Sequence, residues 1–552
     1  MTRRRKKSHK HAHRAPSASG APRPAPVGAS WKDLPARPGR RAAAACALLA
    51  IAAGVLWDIA SKPIDLWPLG WIALAPAIWL VDRAATARRA GLWGWLAGAS
   101  ATVGGFHWIA GLLIHQAGMP FVVGWLGVLL LGAYQGLALL LAARAMRALR
   151  TRGWPLAIAA PLAVVTGEMV LPVIFPYYLA ITQASATPVI QLAELTGPVG
   201  VTALLAAVSG ALVELIDRRR WRPAAITAGA VAVVVGGGLL RMHQIDGRRA
   251  AAPHVKVGLI SEGVPSQTTG GPDRAGRLEN LRALQAASAR AEADGAQLIV
   301  WTETGYPFDL PRDLDHDLAD SPYTIRRGFS APLVFGALTF DRAAGGAPWN
   351  SATLLDRDGR FVARHDKLHR VLGSEYNPLV ETFPSLARFM PAGAGHFAAG
   401  DRAVILPAAV GDRTVRLGPM ICFEDILPGH GREVAALDPN LLVNVTNDSW
   451  FGPVEPWQHL ALAVFRAVEI RADMVRAVNT GPSTHVDAAG RLIAKGAQDR
   501  RGPEALVVDA AILEGGGTVF AKVGNVFGWM CVAVTLGLWL GPVLLRRRRG
   551  IR

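Results

Sequence analysis

The placement of apolar residues constrains this chain more than any motif does. Apolar segments of roughly membrane-spanning length, about 17 to 25 residues, crowd between residues 42 and 240 and recur once near the end. Approximate spans are 42–59, 65–82, 91–114, 121–143, 154–177, 196–216, 223–240 and 525–545, with a long soluble-looking block between the last two. The expected architecture is a polytopic α-helical membrane protein of about eight transmembrane helices with a domain inserted before the last. A mean hydropathy of +0.27 and a 51% share of hydrophobic residues in 552 agree with that class rather than with a soluble protein.

Basic residues then orient the spans, because Lys and Arg accumulate in short cytoplasmic loops. "VDRAATARRAG", "ARAMRALRTRG" and "DRRRWRP" follow the second, fourth and sixth spans, and "RRRRGIR" ends the chain. The loops after the first, third and fifth spans carry only Lys62. Both termini are expected in the cytoplasm and the inserted block on the other side. Arg241, Arg248 and Arg249 run against the bias, but long translocated domains are largely insensitive to such charges.

A net charge of +18 raises the question of nucleic acid. Residues 254–515, however, hold 26 Lys and Arg against 32 Asp and Glu, so the inserted block is mildly acidic. The positive charge sits in the tail, the short loops and the C-terminus, beside an anionic membrane leaflet. No nucleic-acid partner is expected. Residues 1–41, basic and rich in Pro, Ala and Ser, read as a disordered cytoplasmic tail. The expected division is then the tail, a helical bundle over 42–245, an α/β domain over 250–520, and a last helix with a basic end over 525–552.

Within the block, "HVKVGLIS", "AQLIVWTETG", "APLVFGALTF", "TVRLGPMICFED", "NLLVNVTND", "DMVRAVNTG", "PSTHVDAAG" and "EALVVDA" read as strands. "DRAGRLENLRALQAASARAEADG" and "QHLALAVFRAVEIRAD" carry apolar residues at helical spacing. Mixed elements in this order suggest layered α/β packing with functional residues at strand ends.

Three strand ends collect chemistry. Glu303 follows an apolar run, Lys367 follows a strand edge, and Cys422 stands at a strand-to-turn junction. A thiol with a pKa of about 8.5 needs a base or a cation to act near neutral pH. A carboxylate can take its proton, and a lysine can stabilise an oxyanion. On the residues alone, Cys422 is either such a nucleophile or a buried packing residue. Cys46 and Cys531 fall in apolar segments and read as packing residues, so Cys422 has no disulfide partner in the block.

The ordered set "WTETGYP", "HDKLH...SEYNP", "ICFED" and "NVTNDSWFG" resembles the nitrilase, or carbon-nitrogen hydrolase, superfamily, whose members carry a Glu-Lys-Cys triad in an αββα sandwich. Inserted among membrane helices, it is similar to the apolipoprotein N-acyltransferase family, which completes bacterial lipoprotein maturation. The resemblance implies Glu303 as general base, Lys367 as oxyanion stabiliser, Cys422 as nucleophile and Glu375 as a supporting carboxylate. It also implies that Phe423, Glu424 and Trp450 line the substrate site, with turn orientation as the other reading of Glu424 and core packing that of Trp450. The implied partners are a phospholipid acyl donor, a diacylglyceryl apolipoprotein acceptor and the bilayer, with the catalytic domain on the periplasmic side of the inner membrane. Neither cofactor nor metal is implied.

Departures from the family pattern fall near the lysine: Thr302 stands where a Pro is usual, and "HRVLGSEYNP" replaces "HLVPFGEYVP". His365 and His369, four apart, would suit a metal on a helix, but no third ligand accompanies them in a recognisable motif. Two other functions remain open on sequence grounds. One is a membrane-tethered amidase or nitrile hydrolase using the same triad; the other is a transporter with a ligand-binding outer domain, for which Glu168 and Glu214 are the main intramembrane candidates.

Overall fold

The computed structural model describes residues 39–264, 273–343, 345–383, 385, 396–498 and 502–548, so the expected tail lies, up to residue 38, outside the described residues. The membrane portion is helical: α1 (Arg40–Ala60), α2 (Ala75–Arg83), α3 (Ala87–Gly105), α4 (Phe121–Gln135), α5 (Leu137–Arg150), α6 (Leu156–Val170), α7 (Pro198–Arg218) and α8 (Trp221–Ala251). Among the described residues, four helical segments are long and apolar enough to cross a membrane: α1, α4 with α5, α7 and α8. A fifth forms if α3 is joined across a 52° bend to the helical turns Trp108–Gln116. The segment expected at 65–82 is instead a 3-10 turn at Trp67–Trp71 followed by the nine-residue α2. Pro63, Pro68 and Pro76 interrupt helical hydrogen bonding there. Likewise the segment at 154–177 is helical only to Val170, because Pro172 and Pro176 follow.

Small residues let these helices approach closely. A Cβ at Gly94 of α3 would stand 2.3 Å from the Leu139 carbonyl oxygen of α5, and one at Gly167 of α6 would stand 2.3 Å from that of Ala138. Charges buried among the helices are paired. Asp82 accepts from Arg150 and Arg218, Arg83 pairs with Asp217, and Glu214 lies 3.4 Å from Arg150. Glu168 accepts the Leu179 N–H at 3.0 Å and the Thr202 hydroxyl at 3.3 Å. Glu168 and Glu214 therefore hold helices and turns together, and a transporter reading gains nothing from them.

The inserted block forms two sheets. One runs β13 (Glu504–Ala511), β1 (His254–Ser261), β2 (Leu298–Trp301), β4 (Leu333–Phe340), β5 (Trp349–Leu355), β6 (Phe361–Asp366), with β3 (Leu310–Pro311) beside β4. The other runs β12 (Leu492–Lys495), β11 (Thr484–Val486), β10 (Met474–Asn479), β9 (Leu441–Asn447), β8 (Arg413–Ile421), β7 (Leu406–Val410). Side chains alternate between faces with period two. Val255, Val257 and Leu259 of β1, Leu298 and Val300 of β2, and Leu441, Val443 and Val445 of β9 meet in the core between the sheets. Ile299 and Trp301 face the other way and pack under α9 (Arg274–Ala293) through Leu281, Leu284 and Ala287. On the second sheet, Met420, Leu442 and Met474 pack against α11 (Glu455–Ile470) and α10 (Pro428–Ala435). The layers are helix, sheet, sheet, helix, the nitrilase-like arrangement.

One helix joins the two portions. Every residue of α11 from Gln458 to Ile470 is buried, as expected of a helix covered all round. Leu460, Ala461, Val464 and Ala467 face the sheet, whereas Phe465 and Val468 belong to the apolar core of the membrane helices. The last helix, α12 (Val526–Arg548), returns along α6.

Candidate active site

Glu303, Lys367 and Cys422 each lie just beyond a strand: two residues past β2, one past β6 and one past β8. The packing of the two sheets brings these ends together. Lys367, 1% exposed, donates from Nζ to Glu375 Oε1 at 2.7 Å and to Glu303 Oε1 at 3.1 Å. Asn350 of β5 braces both carboxylates through Nδ2, at 2.7 Å from Glu303 and 3.4 Å from Glu375. The second Glu303 oxygen accepts the Asn447 N–H at 3.1 Å, and the second Glu375 oxygen accepts that of Val371 at 2.8 Å.

Cys422 opens a short 3-10 turn, Cys422–Ile426, with φ at +49°. A non-glycine residue in that region is strained, and such strain collects where a side chain must be aimed. Its carbonyl oxygen lies 3.3 Å from His459 Nε2. Burial pushes the thiol well above its ordinary pKa; Glu303 adds to the rise and Lys367 opposes it. Burial also lowers the lysine's pKa, but Glu303, Glu375 and the thiol outweigh it, so the ammonium is held charged well beyond its usual range. The site at rest is a neutral thiol beside a lysine that bridges two carboxylates. A thiol so held needs a base during attack, and Glu303 is the side chain whose charge acts on it most strongly.

Glu424, which has no exposed surface, ties this assembly together. One oxygen accepts the N–H groups of Leu368 at 2.7 Å and His369 at 3.2 Å; the other accepts that of Ile421 at 2.8 Å and lies 3.2 Å from His365 Nε2. It thus anchors the lysine loop to the cysteine turn, and the structure gives it the turn-orienting place rather than one on the cleft surface. Burial would raise its pKa, but His430, His365 and the N–H donors win and hold it well below the usual carboxylate range. Beside it, Asp425 accepts from His459 at 2.7 Å and from Arg476 at 3.0 Å. Burial opposes that imidazolium too, yet Asp425 and Asp448 outweigh it and raise the His459 pKa.

The aromatic residues connect the site to the membrane helices. Phe423 packs edge-on against Phe175 at 6.1 Å, and Phe175 lies 5.7 Å from Phe106 at the bend after α3. Trp108, just past that bend, meets Phe451 edge-on at 5.1 Å and donates to Gln458 Oε1 at 3.0 Å. Trp450 is 39% exposed on the same loop, so it is not a core residue. Asn350, Asn447, Asp425 and His459 were not singled out by sequence reasoning. Asn447 carried a signal, since it lies inside "NVTND", whereas Asn350 lies on a strand that the sequence pattern did not reveal.

His365 and His369 are on β6 and the loop behind it, not on a helix. Among the described residues three groups bring His and carboxylate atoms close together: His365 with Glu424 and His430, His369 with His430 and Glu433, and His459 with Asp448 and Glu455. Their nitrogen-to-oxygen distances run from 3.2 to 3.5 Å.

Comparison with known proteins agrees with both portions. Residues 53–211 match the apolipoprotein N-acyltransferase N-terminal domain, and residues 270–513 match the carbon-nitrogen hydrolase family. A protein of Geobacter metallireducens named apolipoprotein N-acyltransferase is 32% identical over 91% of this chain and 96% of its own. One of Bradyrhizobium diazoefficiens with the same name is 31% identical over 89% and 94%. Among solved structures, an amidase from Nesterenkonia sp. is 21% identical, covering 47% of this chain and 91% of its own at a TM-score of 0.34. With a nitrilase-like sandwich carried on apolar helices, and relatives alike over nearly their whole length, the chain belongs to the apolipoprotein N-acyltransferase family.

Proposed function

We propose that this chain moves an acyl group from the sn-1 ester of a phospholipid to the α-amino group of the diacylglyceryl-cysteine that begins an apolipoprotein. Glu303 takes the Cys422 proton as sulfur attacks the ester carbon. Lys367 stabilises the tetrahedral oxyanion, the C–O bond breaks, and the proton passes to the departing lysophospholipid oxygen. A thioester on Cys422 results. The neutral amine then attacks that thioester, Glu303 removes its proton, and collapse forms the amide and returns the thiol.

The observation that carries this reading is the contact of the cysteine turn and of the 447–458 segment with the membrane portion, through Phe423 on Phe175 and Phe451 on Trp108. Donor and acceptor are both lipid-anchored, and an apolar wall next to the thiol suits acyl chains while excluding water that would hydrolyse the thioester. Within this reading Glu424 is a positioning residue and Phe423 and Trp450 border the lipid path. We assign the helices of 42–245 and 525–552 to a bacterial inner membrane with eight crossings, and 250–520 to its periplasmic side. The shorter α2 and α6 then cross together with their extended, proline-containing continuations.

Acceptor choice separates transfer from hydrolysis. Acyl-loaded protein mixed with a diacylglyceryl peptide bearing a free α-amine should give the N-acyl amide, and the same peptide acetylated at its N-terminus should leave the thioester in place. Equal loss to water with either peptide supports an amidase-like hydrolase instead.

A further inference from the structure

At the end of the helices away from the sandwich lies a cavity of about 660 Å³ lined by Arg88, Arg144, Arg147, Arg152 and Trp539. Its position follows from the chain path. Helix α8 delivers the chain to β1, so its start, the ends of α5 and α7 and the start of α3 all lie at the far end. The same end carries the paired arginines Arg83, Arg150 and Arg218 described above. The four arginines of the cavity differ: among the described residues none of them forms an ion pair, and no carboxylate lines the cavity. Among the described residues Arg152 donates to the carbonyl oxygens of Ala148 and Trp539, both at 2.7 Å.

Four guanidinium groups without an ion pair among the described residues line one space, three of them on exposed residues, and such forks match phosphate oxygens. The surface next to them is apolar. Leu92 stands one turn along α3 from Arg88, and Leu141 one turn along α5 from Arg144, with 47% and 38% of their surface exposed. A free phosphate would use only the charged part, whereas a lipid would fill both. We propose that this cavity binds the phosphodiester headgroup of an anionic phospholipid from the leaflet opposite the catalytic domain. The site is separate from the acyl-donor cleft, because the 19-residue α3 sets about 28 Å between Arg88 and the bend that reaches Phe451. It is independent of the chemistry at Cys422.

Native mass spectrometry of the full chain, delipidated in neutral detergent and mixed with phosphatidylglycerol, phosphatidylcholine or inorganic phosphate, tests this. Wild-type protein should retain one more phosphatidylglycerol than phosphatidylcholine, at least tenfold more tightly, and inorganic phosphate at equal concentration should not displace it. Arg144→Gln/Arg147→Gln should lose that lipid while keeping a wild-type unfolding transition, Arg144→Lys/Arg147→Lys should keep part of it, and Arg88→Gln should weaken it should the double variant fail to fold. Equal retention of the two lipids, unchanged retention in folded Gln variants, or displacement by phosphate alone would overturn the proposal.

Discussion

Glu424, two residues past Cys422, accepts the backbone N–H of Leu368, one residue past Lys367, at 2.7 Å. A single buried carboxylate therefore fixes the spacing between the cysteine turn and the lysine loop. Its pKa is depressed in the fold. The stability it contributes is present above the unfolded value of about 4.3 and is lost as pH falls through the folded value. Glu424→Gln should lower the unfolding temperature at pH 7 and flatten the acid limb below about pH 4.3. An unchanged acid limb, read by tryptophan fluorescence, would deny the carboxylate this role.

The thiol offers a test in which two substitutions move one quantity in opposite directions. Glu303 raises the Cys422 pKa and Lys367 lowers it. Glu303→Gln should shift the pH profile of Cys422 alkylation by iodoacetamide to lower pH, and Lys367→Met should shift it to higher pH. Acylation by phospholipid should nevertheless fall in both, by about 10²- to 10⁴-fold without the base and about 10²- to 10³-fold without the oxyanion donor. Shifts of the same sign would contradict the arrangement.

Asn350 braces Glu303 and Glu375 from one amide. Asn350→Ala leaves buried carboxylate oxygens short of a donor, at a cost of roughly 1 to 3 kcal/mol. Single-turnover acylation should slow by about 10- to 100-fold, while Asn350→Asp, which adds a third carboxylate, should be worse than Ala.

Trp108 links the bent membrane helix to the 447–458 segment through Phe451 and Gln458. Trp108→Ala removes an edge-to-face pair worth about 0.5 to 1.5 kcal/mol and a hydrogen bond of similar size. Proteolytic nicking of that segment should quicken and the KM for phospholipid should rise, with the Cys422 alkylation profile unmoved. A wild-type KM would mean the contact does not shape the lipid path.

Legibility in the sequence followed the physical character of each element. Alternating apolar runs closed by Gly, Asn or Pro marked β1, β2, β4, β8, β9 and β10, and with them the strand ends bearing Glu303 and Cys422. Strand β5, "WNSATLL", mixes polar and apolar residues on both faces and gave no such signal, which hid Asn350. Hydropathy windows averaged over Pro68, Pro76 and Pro172 and so read continuous spans where the backbone breaks. The double contact of α11 was also invisible, because a helix apolar on every side does not reveal which neighbour covers which face.

The proposed transfer turns on Cys422 as the acyl carrier. The measurement is intact-protein and peptide mass spectrometry after incubation of the full-length enzyme with phospholipid alone, since the first half-reaction needs no acceptor and a ping-pong enzyme accumulates its covalent intermediate. One acyl group is expected on the peptide holding "ICFED", released by hydroxylamine and missing from Cys422→Ala. Active, folded protein with no acyl group on Cys422, or with one that survives in Cys422→Ala, would contradict it.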